Sequence, residues 1–530
     1  MLFNSPIFIF IFLPVVLLGY YFIGKLKPFS FSITWLIMAS LFFYGWWNPL
    51  YLGLILVSII FNYVIGSSLE RKPSKFILVS GITTNLLLLA YFKYANFFVN
   101  NLNILINGDI HLEKIILPLA ISFFTFQQIT YLIDSYRGLT KGYNFLHYCL
   151  FVTFFPQLIA GPIVHHAEMM PQFKKINTYR FSNTHLSVGI TLFMFGLFKK
   201  VVLADGIAVY ATPIFQAAEN GLDLTIFEAW IGALAYTFQL YFDFSGYSDM
   251  ALGLARMFGI TLPVNFFSPY KAKNIIEFWR RWHITLHRFI TNYVFFPLDL
   301  KSKRFLIKNN ITISFSFLLN PVFPIMTAFL ISGLWHGAGW TFIIWGGMHG
   351  IYLSINYFWH NIRRKILNYE NKPSLIGRYF GHTLTFISVV LAWVMFRAET
   401  LEGSKVMYMA MLGYNGISFP PSLQLFLGNM GNLTGSLEIS FDGLFYHGYL
   451  VDPLKGVFMI LSMLLIVWFA PNTNELMRNY KPVIGFEHHI KKYNFITWAP
   501  NRKWLITVSI ISYLALSSLF KVSEFLYFQF

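Results

Sequence analysis

The sequence is poor in charged residues. Asp, Glu, Lys and Arg make up 12% of its 530 residues, and the mean hydropathy is +0.58. This charged fraction is roughly half of that in soluble domains, which excludes a soluble globular enzyme. Apolar runs of about 18 or more residues recur along the chain, each long enough to cross a bilayer. Because these runs are continuous rather than alternating, they exclude a β-barrel and predict an all-α polytopic membrane protein.

Cysteine is nearly absent as well. Cys149 is the single cysteine, which excludes a disulfide framework and a cysteine metal site. The first apolar run, MLFNSPIFIFIFLPVVLLGYYF, has no basic residue before it and no small-residue cleavage motif after it. We therefore expect this run to remain as the first membrane helix. No block is long and polar enough for a soluble domain, so we expect one integral-membrane domain over residues 1–530.

The charge that is present is mainly positive, with a formal net charge of +17. On a soluble protein this excess indicates nucleic-acid binding, but here the basic residues lie between apolar runs. The positive-inside rule is therefore the better interpretation, and we expect no nucleic-acid partner. The basic clusters predict cytoplasmic loops, and they occur at Lys25 and Lys27, Glu70 to Lys75, Lys174-Lys175, Lys199-Lys200, Lys301 to Arg304, Arg363 to Lys365 and Lys491-Lys492.

The lengths of the apolar runs predict about eleven to thirteen membrane segments, some of them short or re-entrant. We expect residues 414–450 to form an external loop and residues 471–503 to form a cytoplasmic loop. Ionisable residues inside such segments are costly, so each one is a functional hypothesis.

Two polar clusters have mainly structural interpretations. Asp134 and Arg137 are three residues apart and can pair on one helix face. His165 and His166 follow a segment broken by proline and glycine, and this position is more typical of an interface than of a catalytic centre.

A third cluster lies in YFDFSGYSDMALGLARMFGI, which carries Asp243, Asp249 and Arg256. Asp249 and Arg256 are seven residues apart, which places them on the same helix face. This spacing favours a buried ion pair inside the helix bundle. The alternative is a contact from Asp249 to a polar substrate.

The segment EFWRRWHITLHR is rich in basic residues. His283 and His287 are four residues apart, a spacing that suits a metal on a helix. The inner glutamate of the HExxH motif is missing and no third ligand is near, so we expect no metal there. Arg280 and Arg281 suit phosphate or carboxylate binding, because a guanidinium group can donate two parallel hydrogen bonds. A basic, Trp-flanked helix that contacts anionic lipid explains them equally well.

The stretch LWHGAGW places His336 in apolar sequence. Gly333 and Gly337 permit a turn or a close backbone approach there. A helix that restarts after Pro324 carries His336 about 18 Å along its axis, which is inside the bilayer. A neutral imidazole at that depth suits a packed structural histidine or a general base, and the residues alone leave both open.

Seven ordered segments are similar to the membrane-bound O-acyltransferase family, in its bacterial alginate O-acetyltransferase branch, to which peptidoglycan O-acetyltransferases and D-alanyl transfer proteins for teichoic acid are related. The segments are MLFNSPIFIFIFLP, LPLAISFFTFQQITYLIDSYRG, FFPQLIAGPIV, FDFSGYSDMALGLARMFG, FWRRWHITL, LWHGAGWTFIIWGGMHG and FLYFQF.

The resemblance implies a ring of helices around a transmembrane tunnel in the bacterial inner membrane. It implies that His336 is the active-site histidine and His283 the second histidine. The donor is then a cytoplasmic acyl thioester, with acetyl-CoA expected and no bound cofactor. Arg280, Arg281, Trp335 and Asp249 are the candidate substrate-binding residues.

The resemblance also implies a partner, a periplasmic SGNH-like acetyltransferase or esterase that passes the acetyl group to a polysaccharide. This chain has no GxSxG elbow with which to do so itself. Two alternatives remain open from the sequence: a membrane transporter or channel without acyl-transfer chemistry, and a lipid or protein acyltransferase of the same family.

Overall fold

The computed structural model describes residues 1–25, 29–140, 142–159, 161–311, 317–365, 374–419, 424, 439–441, 452–485, 496–520 and 526. It is 76% helical, which confirms the all-α class. Part of the loop prediction lies outside the described residues, namely Lys27, Lys491-Lys492, most of residues 414–450 and the side chains of Arg364 and Lys365.

The first half of the chain forms eleven α-helices within the described residues. They are α1 (Leu13–Ile23), α2 (Ser30–Gly45), α3 (Leu50–Arg71), α4 (Lys75–Ile106), α5 (Ile121–Tyr136), α6 (Phe145–Thr153), α7 (Phe155–Leu158), α8 (His166–Phe173), α9 (Asn183–Phe198), α10 (Asp205–Glu219) and α11 (Ile226–Met257). A π-helical turn, Phe8–Phe12, precedes α1, and a second one, Lys199–Ala204, joins α9 to α10.

The second half forms ten further α-helices and two short strands within the described residues. They are α12 (Ile275–Trp279), α13 (Ile284–Ile290), α14 (Phe296–Lys308), α15 (Phe323–His336), α16 (Trp340–Lys365), α17 (Leu375–Arg397), α18 (Leu401–Met411), β1 (Ile417–Ser418), β2 (Ile439–Ser440), α19 (Pro453–Phe469), α20 (Thr473–Leu476) and α21 (Arg502–Ser517). The two strands pair in parallel.

Membrane-spanning character is clear in several of these helices. Among the described residues, five helical stretches are long and apolar enough to cross a bilayer, and three shorter helices are similarly apolar. The five are Leu50–Arg71, Lys75–Ile106, Asn183–Glu219, Leu318–His336 and Leu375–Arg397. The polytopic membrane class is therefore confirmed. The total of eleven to thirteen segments and the tunnel stay predictions.

Contacts group the chain into two compact units. The first comprises Met1–Phe198, Ser245–Asn265 and Asn472–Lys521, and the second comprises Lys199–Phe244, Phe266–Pro471 and Val522–Phe530. The first unit therefore holds α1 to α9, the end of α11, α20 and α21. The second holds α10, the beginning of α11 and α12 to α19. The prediction of one domain over residues 1–530 stays a prediction.

In the first unit, α9 and the end of α11 approach each other through glycines. Gly189 and Gly196 are seven residues apart on α9, and Gly246 and Gly253 are seven apart on α11. A Cβ atom on Gly253 would lie 2.6 Å from the Gly189 carbonyl oxygen and 2.6 Å from the Phe193 backbone nitrogen. Small residues drive helix association in lipid because they allow backbones to pack closely. These glycines are therefore needed because a side chain at their positions would prevent the close approach of α9 and α11.

A polar network joins α3, α4 and α5 in the same unit. Asn62 and Asn85 exchange amide hydrogen bonds of 3.1 and 2.7 Å. Asn62 and the Ser58 hydroxyl both donate to the Gln128 side-chain oxygen, the latter at 2.9 Å. All four side chains are buried. Hydrogen bonds between apolar helices satisfy groups that would otherwise be unpartnered in hydrocarbon.

Three of the predicted loops are helical in the structure. Lys301 to Arg304 lies within α14, and Arg363 to Lys365 ends α16. Lys199-Lys200 lies within a continuous helical stretch, Asn183–Glu219, rather than between two membrane segments. The reason is electrostatic, because the buried Lys200 ammonium contacts the Asp205 carboxylate at 2.7 Å and the Asp243 carboxylate at 2.6 Å. A buried charge is tolerated when opposite charges offset its desolvation.

The close approach of α9 and α11 is tested by Gly253→Ala. The added methyl group meets backbone atoms that cannot move aside, so we expect a loss of about 1–3 kcal/mol, the usual cost of overpacking. Thermal unfolding of the purified protein in detergent measures it. Gly53→Ala on α3 is the matched control, because no atom lies within 4 Å of its Cβ position. A Gly253→Ala protein as stable as the Gly53→Ala protein would contradict the packing argument.

Candidate active site

His336 is the last residue of α15, at the turn of a helical hairpin formed with α16. Glycines allow this hairpin to close. A Cβ atom on Gly333 would overlap the Phe342 carbonyl oxygen, and one on Gly337 would overlap the Phe342 ring. The predicted close backbone approach in this stretch is therefore confirmed. His336 is half-buried, with its ring edge-on to those of Trp345 and Phe396 at 5.1 and 5.2 Å between centroids.

His283 enters the same region from the turn between α12 and α13. Its backbone is left-handed, with φ of 42°, which is uncommon for a residue other than glycine. Such strain occurs where surrounding structure fixes a functional side chain. The side chain is 1% exposed, and burial lowers the pKa of His283, so the imidazole is neutral at physiological pH.

The two histidines face one small cavity. It has a volume of about 30 Å³, and the ring centroids of His283 and His336 are 6.4 Å apart. The lining residues are Leu240, Asp243, Phe244, Trp282, His283, His336, Trp393, Phe396 and Leu526. A cavity of this size holds about one or two water molecules. The site therefore brings two imidazoles and one carboxylate to a small volume lined largely by aromatic rings.

A larger cavity, of about 300 Å³, is lined by residues on the face of α15 that also carries His336. Its walls are mainly apolar side chains of α12, α13, α15 and α16, and its polar members are Arg280, His287, Thr291, Ser332 and Tyr357. On α15 the lining residues include Ile325, Phe329 and Ser332, and His336 follows four residues later. These positions recur with helical spacing, so one stripe of α15 serves both cavities.

His283 and His287 line different cavities, although they are one turn apart. They do not converge on one metal ion in the described structure. The HxxxH spacing was the sequence argument for a metal at this segment. Because the two histidines line different cavities, the structure gives that argument no support.

The predicted arginines have different surroundings. Arg280 is exposed at the larger cavity and has no ion-pair partner among the described residues. Arg281 donates to the Glu277 carboxylate at 2.7 and 3.1 Å and to the Phe267 carbonyl oxygen at 3.2 Å. Because its guanidinium group is already engaged, Arg281 is a weaker candidate for a phosphate than Arg280.

The other two predicted substrate-binding residues, Trp335 and Asp249, are not among the residues that line the cavities. Trp335 is 5% exposed, and its ring packs against those of His336 and His283 at 4.9 and 6.1 Å. Asp249 accepts a hydrogen bond of 2.7 Å from the Thr473 hydroxyl. Neither residue lines the two cavities described above.

The predicted ion pair between Asp249 and Arg256 is wrong. Arg256 donates to the Thr261 hydroxyl at 2.8 Å and to the Tyr480 carbonyl oxygen at 3.2 Å. Residues seven apart share a helix face, but segments distant in sequence supply nearer partners here. No periodicity within α11 reveals those partners.

The sequence interpretation also missed the environment of Asp243. This carboxylate lines the histidine cavity and pairs with Lys200, which pairs in turn with Asp205. The one available signal was a lysine inside an apolar run, which is costly unless it is paired.

A second histidine cluster lies in the first unit. The Asp134 carboxylate oxygen Oδ2 contacts His165 Nε2 at 2.8 Å and His166 Nε2 at 3.0 Å, and Oδ1 contacts Arg137 at 3.5 Å. The predicted pair of Asp134 with Arg137 is therefore confirmed, with the two histidines as stronger partners. Within the described residues, this is the one group of His, Cys, Asp or Glu side chains close enough to hold a metal ion.

The hydrogen bonds of this cluster favour two neutral histidines over a metal. His165 Nδ1 accepts from the Ala167 backbone N–H at 3.3 Å, and His166 Nδ1 lies 3.0 Å from the Tyr143 hydroxyl, which donates to it. Both Nε2 atoms then carry the proton and donate to Asp134. Burial also lowers the pKa of His166, which keeps that ring neutral. A metal at Nε2 would require the opposite tautomers.

Comparisons with known proteins bear on these arrangements. The family model described as MBOAT, membrane-bound O-acyltransferase family, matches residues 81–390. A peptidoglycan O-acetyltransferase of Helicobacter pylori is 43% identical over 79% of this chain and 81% of its own length. A probable alginate O-acetylase AlgI of Pseudomonas putida is 34% identical over the whole of both chains. A teichoic acid D-alanyltransferase of Streptococcus thermophilus is 28% identical over 55% of this chain and 70% of its own.

The Asp134 cluster is tested by Asp134→Ala. Removing the carboxylate leaves the buried His166 N–H without an acceptor, which costs about 1–3 kcal/mol, so we expect a lower thermal unfolding temperature in detergent. Asp109→Ala, at an exposed loop carboxylate, is the control and should change nothing. Addition of a chelator to the unmodified protein should also leave the unfolding temperature unchanged. A fall on chelation would show that a metal ion holds the cluster together.

Proposed function

The chain belongs to the membrane-bound O-acyltransferase family, and we propose that it moves an acetyl group from a cytoplasmic thioester toward hydroxyl groups of an extracytoplasmic polysaccharide. Family membership makes the chain an acyltransferase and argues against the transporter or channel alternative. Relatives named for peptidoglycan, alginate and teichoic acid favour a polymer over a lipid or protein acceptor. The polymer is alginate, peptidoglycan or another exopolysaccharide.

The convergence of His283 and His336 on one small cavity is the observation that carries this proposal. A neutral imidazole in a water-poor site can accept a proton from a hydroxyl group. The aromatic rings of Trp282, Trp393 and Phe396 limit the water that competes with the acceptor as nucleophile.

In the proposed mechanism, His336 is the general base. An imidazole nitrogen of His336 takes the proton of the acceptor hydroxyl while the hydroxyl oxygen attacks the thioester carbonyl carbon. The new C–O bond forms, the C–S bond breaks, and the departing thiolate takes the proton back from the imidazolium. His283 positions or polarises the reacting group from the opposite wall of the cavity.

Acetyl-CoA is the proposed donor. The cavity of about 300 Å³ offers a mainly apolar volume along α15, and its stripe of lining residues leads to His336. Arg280 is exposed at this cavity and has no ion-pair partner among the described residues. Its guanidinium group is therefore available to bind a phosphate of the donor. Arg281 is a secondary candidate because Glu277 already engages it.

We also propose a location and a partner. The apolar helices and the bacterial relatives support the inner membrane as the location. A chain without a GxSxG elbow needs another protein to deliver the acetyl group to the polymer. We propose a periplasmic SGNH-like acetyltransferase or esterase for that step.

The general base is tested by His336→Ala. Because general-base catalysis contributes about 10²–10⁴ in rate, we expect acetyl transfer to the polymer to fall by at least that factor while expression and folding remain normal. Transfer is measured as radiolabel passed from acetyl-CoA to polymer in membranes that contain this chain and its partner. His360→Ala, an exposed histidine of α16, should transfer at the normal rate. Near-normal transfer by His336→Ala would exclude His336 as the base.

The donor site is tested by Arg280→Ala. Loss of a charge-assisted hydrogen bond costs about 1.5–3 kcal/mol, which corresponds to a rise of about tenfold or more in KM for acetyl-CoA with little change in kcat. Arg378→Ala, an exposed arginine of α17, is the matched control. An unchanged KM in both variants would place the donor phosphates elsewhere.

A further inference from the structure

Asp243 is the one carboxylate that lines the histidine cavity among the described residues. Its oxygen Oδ1 lies 2.6 Å from the Lys200 ammonium nitrogen, and the same nitrogen lies 2.7 Å from Asp205 Oδ1. The side chains of Lys200, Asp205 and Asp243 are 1%, 7% and 6% exposed. Three ionisable groups are thus buried together, and Lys200 favours the charged form of both carboxylates.

The two carboxylates differ in position. Asp243 faces the cavity that holds His283 and His336, whereas Asp205 contacts Lys200 and does not line that cavity. The Asp243 carboxylate therefore acts on the cavity directly, across a volume that holds about one or two water molecules, whereas Asp205 acts on it through Lys200.

The other titratable groups that the structure describes around His336 are neutral or engaged elsewhere. His283 shares the cavity and is neutral, and His349 on α16 is fully buried, with its Nδ1 accepting from Trp279 at 3.3 Å. Arg397 on α17 lies over the rings of Phe215 and Tyr236, at 5.6 and 5.9 Å from their centroids. Among the described residues, Asp243 is therefore the one carboxylate at the cavity wall.

From this geometry we infer that Asp243 is a positioning residue for the acyl-transfer reaction, held as an anion by Lys200 to stabilise the imidazolium that forms on His336. This inference rests on the proposed role of His336 as the general base. When the hydroxyl proton moves to His336, positive charge develops in a site of low dielectric constant. A fixed carboxylate that is already in place stabilises this charge without reorganisation.

The experiment compares Asp243→Asn with Asp205→Asn. Each variant removes one carboxylate from Lys200 and leaves the other pair intact, so their structural costs are matched. Acetyl transfer from acetyl-CoA is measured against pH in inverted membrane vesicles that contain the chain and its partner. Thermal unfolding of both purified variants checks the match.

We expect Asp243→Asn to lower kcat by about a hundredfold, within the range for electrostatic stabilisation, with KM for acetyl-CoA nearly unchanged. Without the carboxylate the protonated imidazole is less stable, so the acidic limb of the kcat profile moves to lower pH by about one unit. Asp205 lies beyond Lys200 and does not line the cavity, so Asp205→Asn should keep kcat within about threefold of normal and move that limb in the same direction by less than half as much.

An unshifted acidic limb in Asp243→Asn, or equal effects in the two variants, would overturn the inference. If Asp243→Asn does not fold, Lys200→Gln gives a test of opposite sign. Both carboxylates then act without a counter-charge, so the limb should move to higher pH, and an unmoved limb would reject the idea. His336→Ala in the same assay separates the two proposals, because an active His336→Ala protein refutes the base itself, whatever the Asp243 variants do.

Discussion

Each polar group buried among the apolar helices of this protein must find a partner. Without one, an amide or hydroxyl group loses its hydrogen bonds to water, and a charge loses far more. The protein meets this constraint in three ways. Asn62, Asn85 and Gln128 bond to one another, Asp134 accepts from two histidines, and Lys200 contacts two carboxylates. The partners come from different helices in each case, so satisfying the polar groups also fixes how those helices pack.

The same constraint shapes the surroundings of the two candidate histidines. His283 is buried at a left-handed turn, and His336 ends a helix whose glycines pack against the next helix. Aromatic rings line much of the remaining wall, and the imidazoles face a volume of about 30 Å³. A site of this kind favours the uncharged imidazole. It also makes the electrostatic interaction with each neighbouring charge stronger than it would be in water.

Local patterns predicted the class of the protein, because the apolar runs predicted a helical membrane protein. The family resemblance of the LWHGAGW and RWH segments made His336 and His283 the candidate site residues, and the structure brings their ring centroids to 6.4 Å. Patterns failed where the partner is distant in sequence. Lys200 was assigned to a loop because its local sequence does not show Asp243, 43 positions further along. Arg256 was paired with Asp249 because helical spacing does not show Tyr480.

The two cavities suggest how one helix organises the reaction. Ile325, Phe329, Ser332 and His336 lie along one stripe of α15, which covers about 16 Å at 1.5 Å per residue. A thioester arm bound along the apolar part of that stripe would present its carbonyl group near the imidazole at the helix end. In the proposed mechanism, the change from apolar to polar lining along the stripe would separate binding from chemistry, because the arm would contact an apolar surface whereas the developing charge would face Asp243. One rigid helix can hold the binding surface and the imidazole at a fixed separation, which a flexible loop would do less precisely.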